Sequence, residues 1–131
     1  MPLKPHPLLR YALLVDALTS TVFALGLVLL AGLLFPLLGL PEGLLRGIGV
    51  GLLPYGLALF WIARHPSPVW VKAVIGLNLF WVADSLVLLG SKLIAPTALG
   101  AAFILVQAAA VGGVTLAQII GLRRSNPLQA R

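Results

Sequence analysis

Val69–Leu89 reads VWVKAVIGLNLFWVADSLVLL. As a helix it is long enough to cross the hydrocarbon of a bilayer, which takes about 20 mainly apolar residues. Yet Asn78, Trp81, Asp84 and Ser85 interrupt a run that otherwise suits lipid. Spacings of i, i+3 and i+7 set Asn78, Trp81 and Ser85 on one helical face, with Asp84 beside it. What those polar groups face is the question the rest of the chain must answer.

The surrounding composition makes lipid the natural solvent. Of 131 residues, 60% are hydrophobic and 9% charged. Mean hydropathy is +1.09. A water-soluble domain carries about 25% charged residues, so polar side chains are too few here to cover a globule in water. The net charge of +6 does not form a basic patch, because the Lys and Arg residues sit at the ends of apolar runs. That pattern fits cationic flanks beside anionic headgroups, and no nucleic-acid partner is expected. With no cysteine, disulfides, thiol redox chemistry and thiolate metal sites are excluded.

Pro2, Pro5 and Pro7 predict a short extended surface arm. The apolar run from Tyr11 to Leu38 exceeds the about 7–15 residues of a signal-peptide core, so it reads as a first spanning helix, over about 8–34. FPLLGLP then supplies breakers in Pro36, Gly39 and Pro41. A second helix follows over about 42–63, with Pro41 suited to its start and Glu42 to its first turn. Pro54 should kink it and free the carbonyl of Val50. HPSP, His65–Pro68, is a tight turn. Helices over about 68–89 and 97–122 complete the set, with Thr97 as a cap and a frayed tail from Arg123.

The expected fold is therefore all-α: one domain, a four-helix transmembrane bundle. Lys4, Arg10, Arg64, Lys72, Arg123, Arg124 and Arg131 fall on the side of the termini, and Arg46 and Lys92 on the other. This bias predicts an N-in, C-in protein with both termini cytoplasmic. Arg10 precedes Asp16 by the same offset as Lys72 precedes Asn78, a faint sign of two hairpin repeats about an axis along the membrane normal.

Small residues recur at every fourth position. Gly43, Gly47 and Gly51 do so in the second helix, and Ala109, Gly113, Ala117 and Gly121 in the fourth. Such strips let helix backbones approach closely in lipid. Packing within the bundle is the first expectation for them, and an interface between copies the second.

A rise of about 1.5 Å per residue places the polar groups in depth. Asp16, Lys72 and Gln118 fall in an inner layer, and Asn78 and Gln107 in a middle layer, with the carbonyl freed by Pro54 as a possible member. Asp84, Arg46, Glu42 and Ser91 fall in an outer one. An ionised acid in lipid costs about 2.5–3.5 kcal/mol even on the mild insertion scale. Asp16 and Asp84 should therefore face the bundle, pair with a cation or be protonated. The depths suggest Asp84 with Arg46, and Asp16 with Lys72 or Arg10. Thr19 and Ser20 are expected to bond back to their own helix. Trp61 and Trp70 suit the interfacial belt, whereas the deeper Trp81 needs a partner for its indole N–H.

Familiar catalytic chemistry is missing. His6 and His65 both fall at the surface of the terminal side, so neither a bis-histidine haem nor a Ser–His–Asp array is plausible. The glycines lie in apolar helices rather than in a phosphate-binding turn. No enzyme activity, cofactor or metal is expected.

The segments YALLVDALTS, VKAVIGLNLFWVADSLVLL and APTALGAAFILVQAAAV resemble those of small four-helix bacterial inner-membrane proteins without an assigned function. The resemblance covers about 9–124. It implies a fold and an inner-membrane location, and no activity. On the residues themselves, the leading expectation is association: a homo-oligomer or an accessory subunit of a membrane complex. A small-solute or proton-coupled transporter or channel, as a dimer, would use Asp16, Asn78, Asp84 and Gln107. Binding of a lipid or quinone beside Trp81 is the third possibility.

Overall fold

The computed structural model describes residues 3–4, 6–92 and 94–127. Pro2, Pro5 and Arg131 lie outside the described residues. In chain order the elements are β1 (Leu3–Lys4), α1 (Pro7–Leu38), α2 (Glu42–Arg64), α3 (Pro68–Gly90), α4 (Ala98–Arg124) and β2 (Asn126–Pro127). All four helices are long and apolar enough to cross a membrane.

Local signals explain the helix ends. Pro7 and Pro68 stand in first turns, where the missing N–H costs nothing. His6 Nδ1 accepts Leu8 N–H at 3.1 Å, Ser67 Oγ accepts Trp70 N–H at 3.4 Å and Thr97 Oγ1 accepts Gly100 N–H at 3.0 Å. These bonds satisfy amides that have no partner within their own helices.

The first helix runs past its expected end at residue 34, through Pro36, to Leu38. Two features hold this last turn. Gly39 adopts φ 70° and donates its N–H to Phe35 O at 2.9 Å, closing the helix in a left-handed cap. Thr97 then bonds both terminal carbonyls: its Oγ1 donates to Leu37 O at 2.7 Å and its N–H to Leu38 O at 3.0 Å. The backbone at Gly100 rests directly on the Leu38 carbonyl, leaving no room for a side chain there.

The termini meet at one end of the bundle. β1 and β2 pair antiparallel, Leu3 opposite Pro127 and Lys4 opposite Asn126. His6 N–H donates to Ser125 Oγ at 2.8 Å, and that hydroxyl donates to Gly121 O at 2.7 Å. Over Ser125–Pro127 the tail is therefore engaged rather than frayed.

α1 packs along both α2 and α4, and α3 packs on α4, whereas α2 and α3 approach each other little. A repeat of two equivalent hairpins would make the α1–α4 and α2–α3 contacts alike, and they are not. Two apolar clusters close the ends of the bundle. Leu9, Leu13, Leu59, Ile62, Val71 and Val74 fill the end carrying the termini. Leu27, Ala31, Leu38, Leu40, Leu45 and Ile104 fill the opposite end.

The buried positions follow an alternation of three and four. On α1 they include Leu9, Leu13, Asp16, Ala24, Leu27, Ala31 and Leu38; on α3, Val71, Val74, Asn78 and Ser85; on α4, Ile104, Ala108, Thr115 and Gln118. This is the seam of left-handed helix packing. On α2, Gly49 and Gly56 are the glycines that need their smallness. A Cβ on Gly49 would stand 2.8 Å from Ala24 O, and one on Gly56 would strike the Thr21 hydroxyl.

Of the strips at every fourth position, Gly121 packs the bundle as expected, for a Cβ there would stand 2.6 Å from Leu9 N, but most of the other members do not. Gly43, Gly47 and Gly51 are exposed and nothing lies within 4 Å of where their side chains would begin. Gly113 is equally open, Ala109 is exposed and Ala117 is half-buried. A four-residue step rotates about 40° past a full turn, so such a strip winds off the seam that a three–four alternation keeps. Pro54 and Val50 also lie on the outer face, and α2 continues through Pro54 without interruption.

Candidate functional site

Between the two apolar clusters lies a polar network centred on Asp16. Asp16 Oδ2 accepts from Asn78 Nδ2 at 2.8 Å and from Gln118 Nε2 at 2.7 Å. Asp16 Oδ1 accepts from Ser20 Oγ at 3.1 Å. Asn78 Nδ2 also reaches Gln118 Oε1 at 3.1 Å, while Asn78 Oδ1 accepts the Tyr55 hydroxyl at 2.8 Å. The network draws on all four helices. Its centre is buried: Asp16 is 6% exposed, Asn78 4% and Gln118 0%. Among the described residues no buried side-chain N or O atom lacks a hydrogen-bond partner.

A second polar group lies further from the termini. Trp81 Nε1 donates to Gln107 Oε1 at 2.7 Å. Gln107 Nε2 donates to Ser85 Oγ at 3.1 Å and to Ile104 O at 2.9 Å, and Ser85 Oγ donates to Trp81 O at 2.8 Å. The indole N–H of Trp81 thus has the partner its depth demands.

These two groups bound a cavity of about 480 Å3 lined from all four helices. Asp16, Ser20, Tyr55 and Asn78 supply one polar end, and Trp81 and Gln107 the other. Between them the walls are apolar, with Phe23, Leu52, Leu77, Phe80 and Val111 among them. The volume is within the about 300–1,000 Å3 of small-molecule sites. A smaller cavity of about 210 Å3 lies toward the opposite end, with Asp84 and Ser85 in its wall. Phe23, Ile48, Trp81 and Gln107 line both, so the Trp81–Gln107 pair stands in the partition.

Several expectations change. Asn78 joins Asp16 and Gln118, and Gln107 joins Trp81 and Ser85, so the predicted Asn78–Gln107 layer does not form. Asp16 lies nine residues into α1, which begins at Pro7, about 13–14 Å along its axis, and from there it reaches Asn78. Arg46 bonds Glu42 one turn away at 2.8 Å, and not Asp84. Asp84 is exposed, one position off the seam that holds Ser85. Lys72 and Arg10 are also exposed, and Asp16 pairs with amides and a hydroxyl rather than with either of them. Thr19 bonds back to Val15 O at 2.7 Å as expected, whereas Ser20 turns to the Asp16 carboxylate.

Tyr55 was not singled out from the sequence. A tyrosine within an apolar helix needs a partner for its hydroxyl, and that was the available signal. Trp61 and Trp70 are half-exposed near the α2–α3 turn and stack edge-to-face at 6.0 Å. His6 caps α1, and His65 closes α2 against Trp61 at 5.2 Å. Among the described residues no cluster of His, Cys, Asp and Glu is placed to hold a metal. No family model, curated protein or solved structure matches the chain.

Proposed function

We propose that the protein is a multi-pass inner-membrane protein, with both termini cytoplasmic, that binds a hydrophobic small molecule between its helices without transforming it. The observation that carries this reading is the cavity of about 480 Å3, apolar along its walls and polar at both ends. Such a site holds an amphipathic molecule by its body and orients it by its polar group. The side where α2 and α3 stand apart offers entry from lipid.

Filling the cavity tests the reading. Gly51 is exposed, lines the cavity and has open space around it. Gly51→Phe should preserve the helical spectrum and displace lipids that native mass spectrometry finds retained on the wild type. Equal retention by both would remove the cavity as the binding place. Orientation is tested by single cysteines, since the chain has none. Ser125→Cys should react with an impermeant thiol reagent only from the cytoplasmic side, and Lys92→Cys only from the other.

Self-association is the second reading. It is supported by Gly43 and Gly47, which are exposed on α2 and line neither cavity, and by the exposed Asp84 on α3. Gly47→Cys should then cross-link between copies in native membranes. Monomer alone under oxidising conditions would count against it.

A further inference from the structure

We infer that the molecule held in the larger cavity carries a positive charge on a hydrophobic frame, and that Asp16 is its counter-ion. This rests on the cavity-binding reading and names the ligand class. The three groups that bond the Asp16 carboxylate are an asparagine amide, a glutamine amide and a serine hydroxyl. All three are neutral, and all donate. A carboxylate that only accepts is arranged as the ionised form. A buried ionised carboxylate calls for a cation as well as hydrogen bonds.

Among the described residues no cation is placed there. Arg10, Arg64, Lys72, Arg123 and Arg124 crowd the same end of the bundle, but all are exposed. Among the described residues the one ion pair is Arg46 with Glu42. Charge is therefore left over at the polar end of an apolar cavity.

The geometry of the acid points the same way. A carboxylate offers about four acceptor sites. Oδ2 takes two donors, whereas Oδ1 takes only Ser20. Asp16 itself lines the cavity, so an acid with acceptor capacity to spare stands in the cavity wall. The walls suit a cation too. Phe23, Tyr55, Phe80 and Trp81 line the same space, and aromatic faces attract positive charge, most strongly where water is excluded. Anionic lipid headgroups and anionic metabolites are disfavoured by the same acid.

The experiment compares isosteres on the full-length protein in nanodiscs of neutral lipid. The probes are a phenylbutyl-trimethylammonium ion and its uncharged tert-butyl counterpart, read by quenching of Trp81 in a Trp61→Phe, Trp70→Phe background. The charged probe is expected to bind at least about ten-fold tighter, and Asp16→Asn to bring the two within about two-fold. Asp16→Glu, which keeps the charge, should retain the preference if the Asn variant does not fold. Equal binding of both probes to the wild type would overturn the charge assignment and leave the cavity reading standing. Binding of neither, with Gly51→Phe also without effect on retained lipid, would overturn both.

Discussion

Asp16 and Asn78 are 62 positions apart in the chain and meet at 2.8 Å, amide nitrogen to carboxylate oxygen. The same asparagine accepts the Tyr55 hydroxyl through its carbonyl. One side chain thereby ties α3 to α1, and also to α2 across the gap where the two backbones stand apart. Its donating and accepting ends are both committed, which fixes the orientation of the amide.

Asn78→Leu should therefore be disproportionately costly for one polar side chain. It leaves Asp16 short of a donor and the Tyr55 hydroxyl without its acceptor. Each stranded group costs about 1–3 kcal/mol. Unfolding in mixed SDS and dodecylmaltoside, followed by circular dichroism, measures the loss. Asp84→Asn, which lies outside this network and breaks none of its bonds, should not reproduce that loss in the same assay.

Gly49→Ala and Gly47→Ala should move stability in opposite directions although the two sites are half a turn apart. At Gly49 the new Cβ would meet Val28 Cγ2 at 2.7 Å and the Ala24 carbonyl at 2.8 Å, and backbone cannot step aside cheaply. Overpacking of this kind costs about 1–3 kcal/mol. At Gly47 nothing stands within 4 Å, so the higher helix propensity of alanine should stabilise by about 0.5–1 kcal/mol. Unfolding midpoints of the two variants, side by side, decide the matter.

Thr97→Ala should loosen two helices at once. The hydroxyl accepts from Gly100 N–H to start α4 and donates to Leu37 O at the end of α1. Loss of an N-cap alone costs about 0.5–2 kcal/mol. Hydrogen exchange should rise at the first turn of α4 and the last turn of α1 together, while Thr97→Ser should keep both protected.

Trp81→Phe should open the partition between the two cavities. Phenylalanine keeps most of the ring but has no N–H for Gln107 Oε1, which now receives it at 2.7 Å. A destabilisation of about 1–3 kcal/mol is expected. If the partition sets ligand length, the variant should also retain longer-chain lipids in native mass spectrometry than the wild type does.

The four helices were readable because hydropathy and breakers act locally, and their starts at Glu42 and Pro68 agree with the sequence reading. The seam was equally present in the sequence, since Leu9, Leu13 and Asp16 already step by four and three. Following it would have turned Asp16, Asn78, Ser85 and Gln118 inward and left Asp84 outside. Counting glycines by fours drew attention to Gly43, Gly47 and Gly51 instead of Gly49 and Gly56. Depth was less legible, because it depends on where each helix starts and how far a side chain reaches. The overrun of α1 to Leu38 could not be read locally, for its last carbonyls are satisfied by Thr97, remote in the chain. The cavity is a property of how four seams fit together, and no single helix encodes it.

The acid on α1 receives its amide donors from α3 and α4, the latter 102 positions downstream. Of the three donors to that carboxylate, only Ser20 belongs to its own helix; Asn78 comes with α3 and Gln118 with α4. A bundle assembled helix by helix therefore carries an incompletely satisfied acid until α4 has docked, at a cost of about 1–3 kcal/mol for each missing partner. Satisfaction of the acid and closure of the bundle are one event.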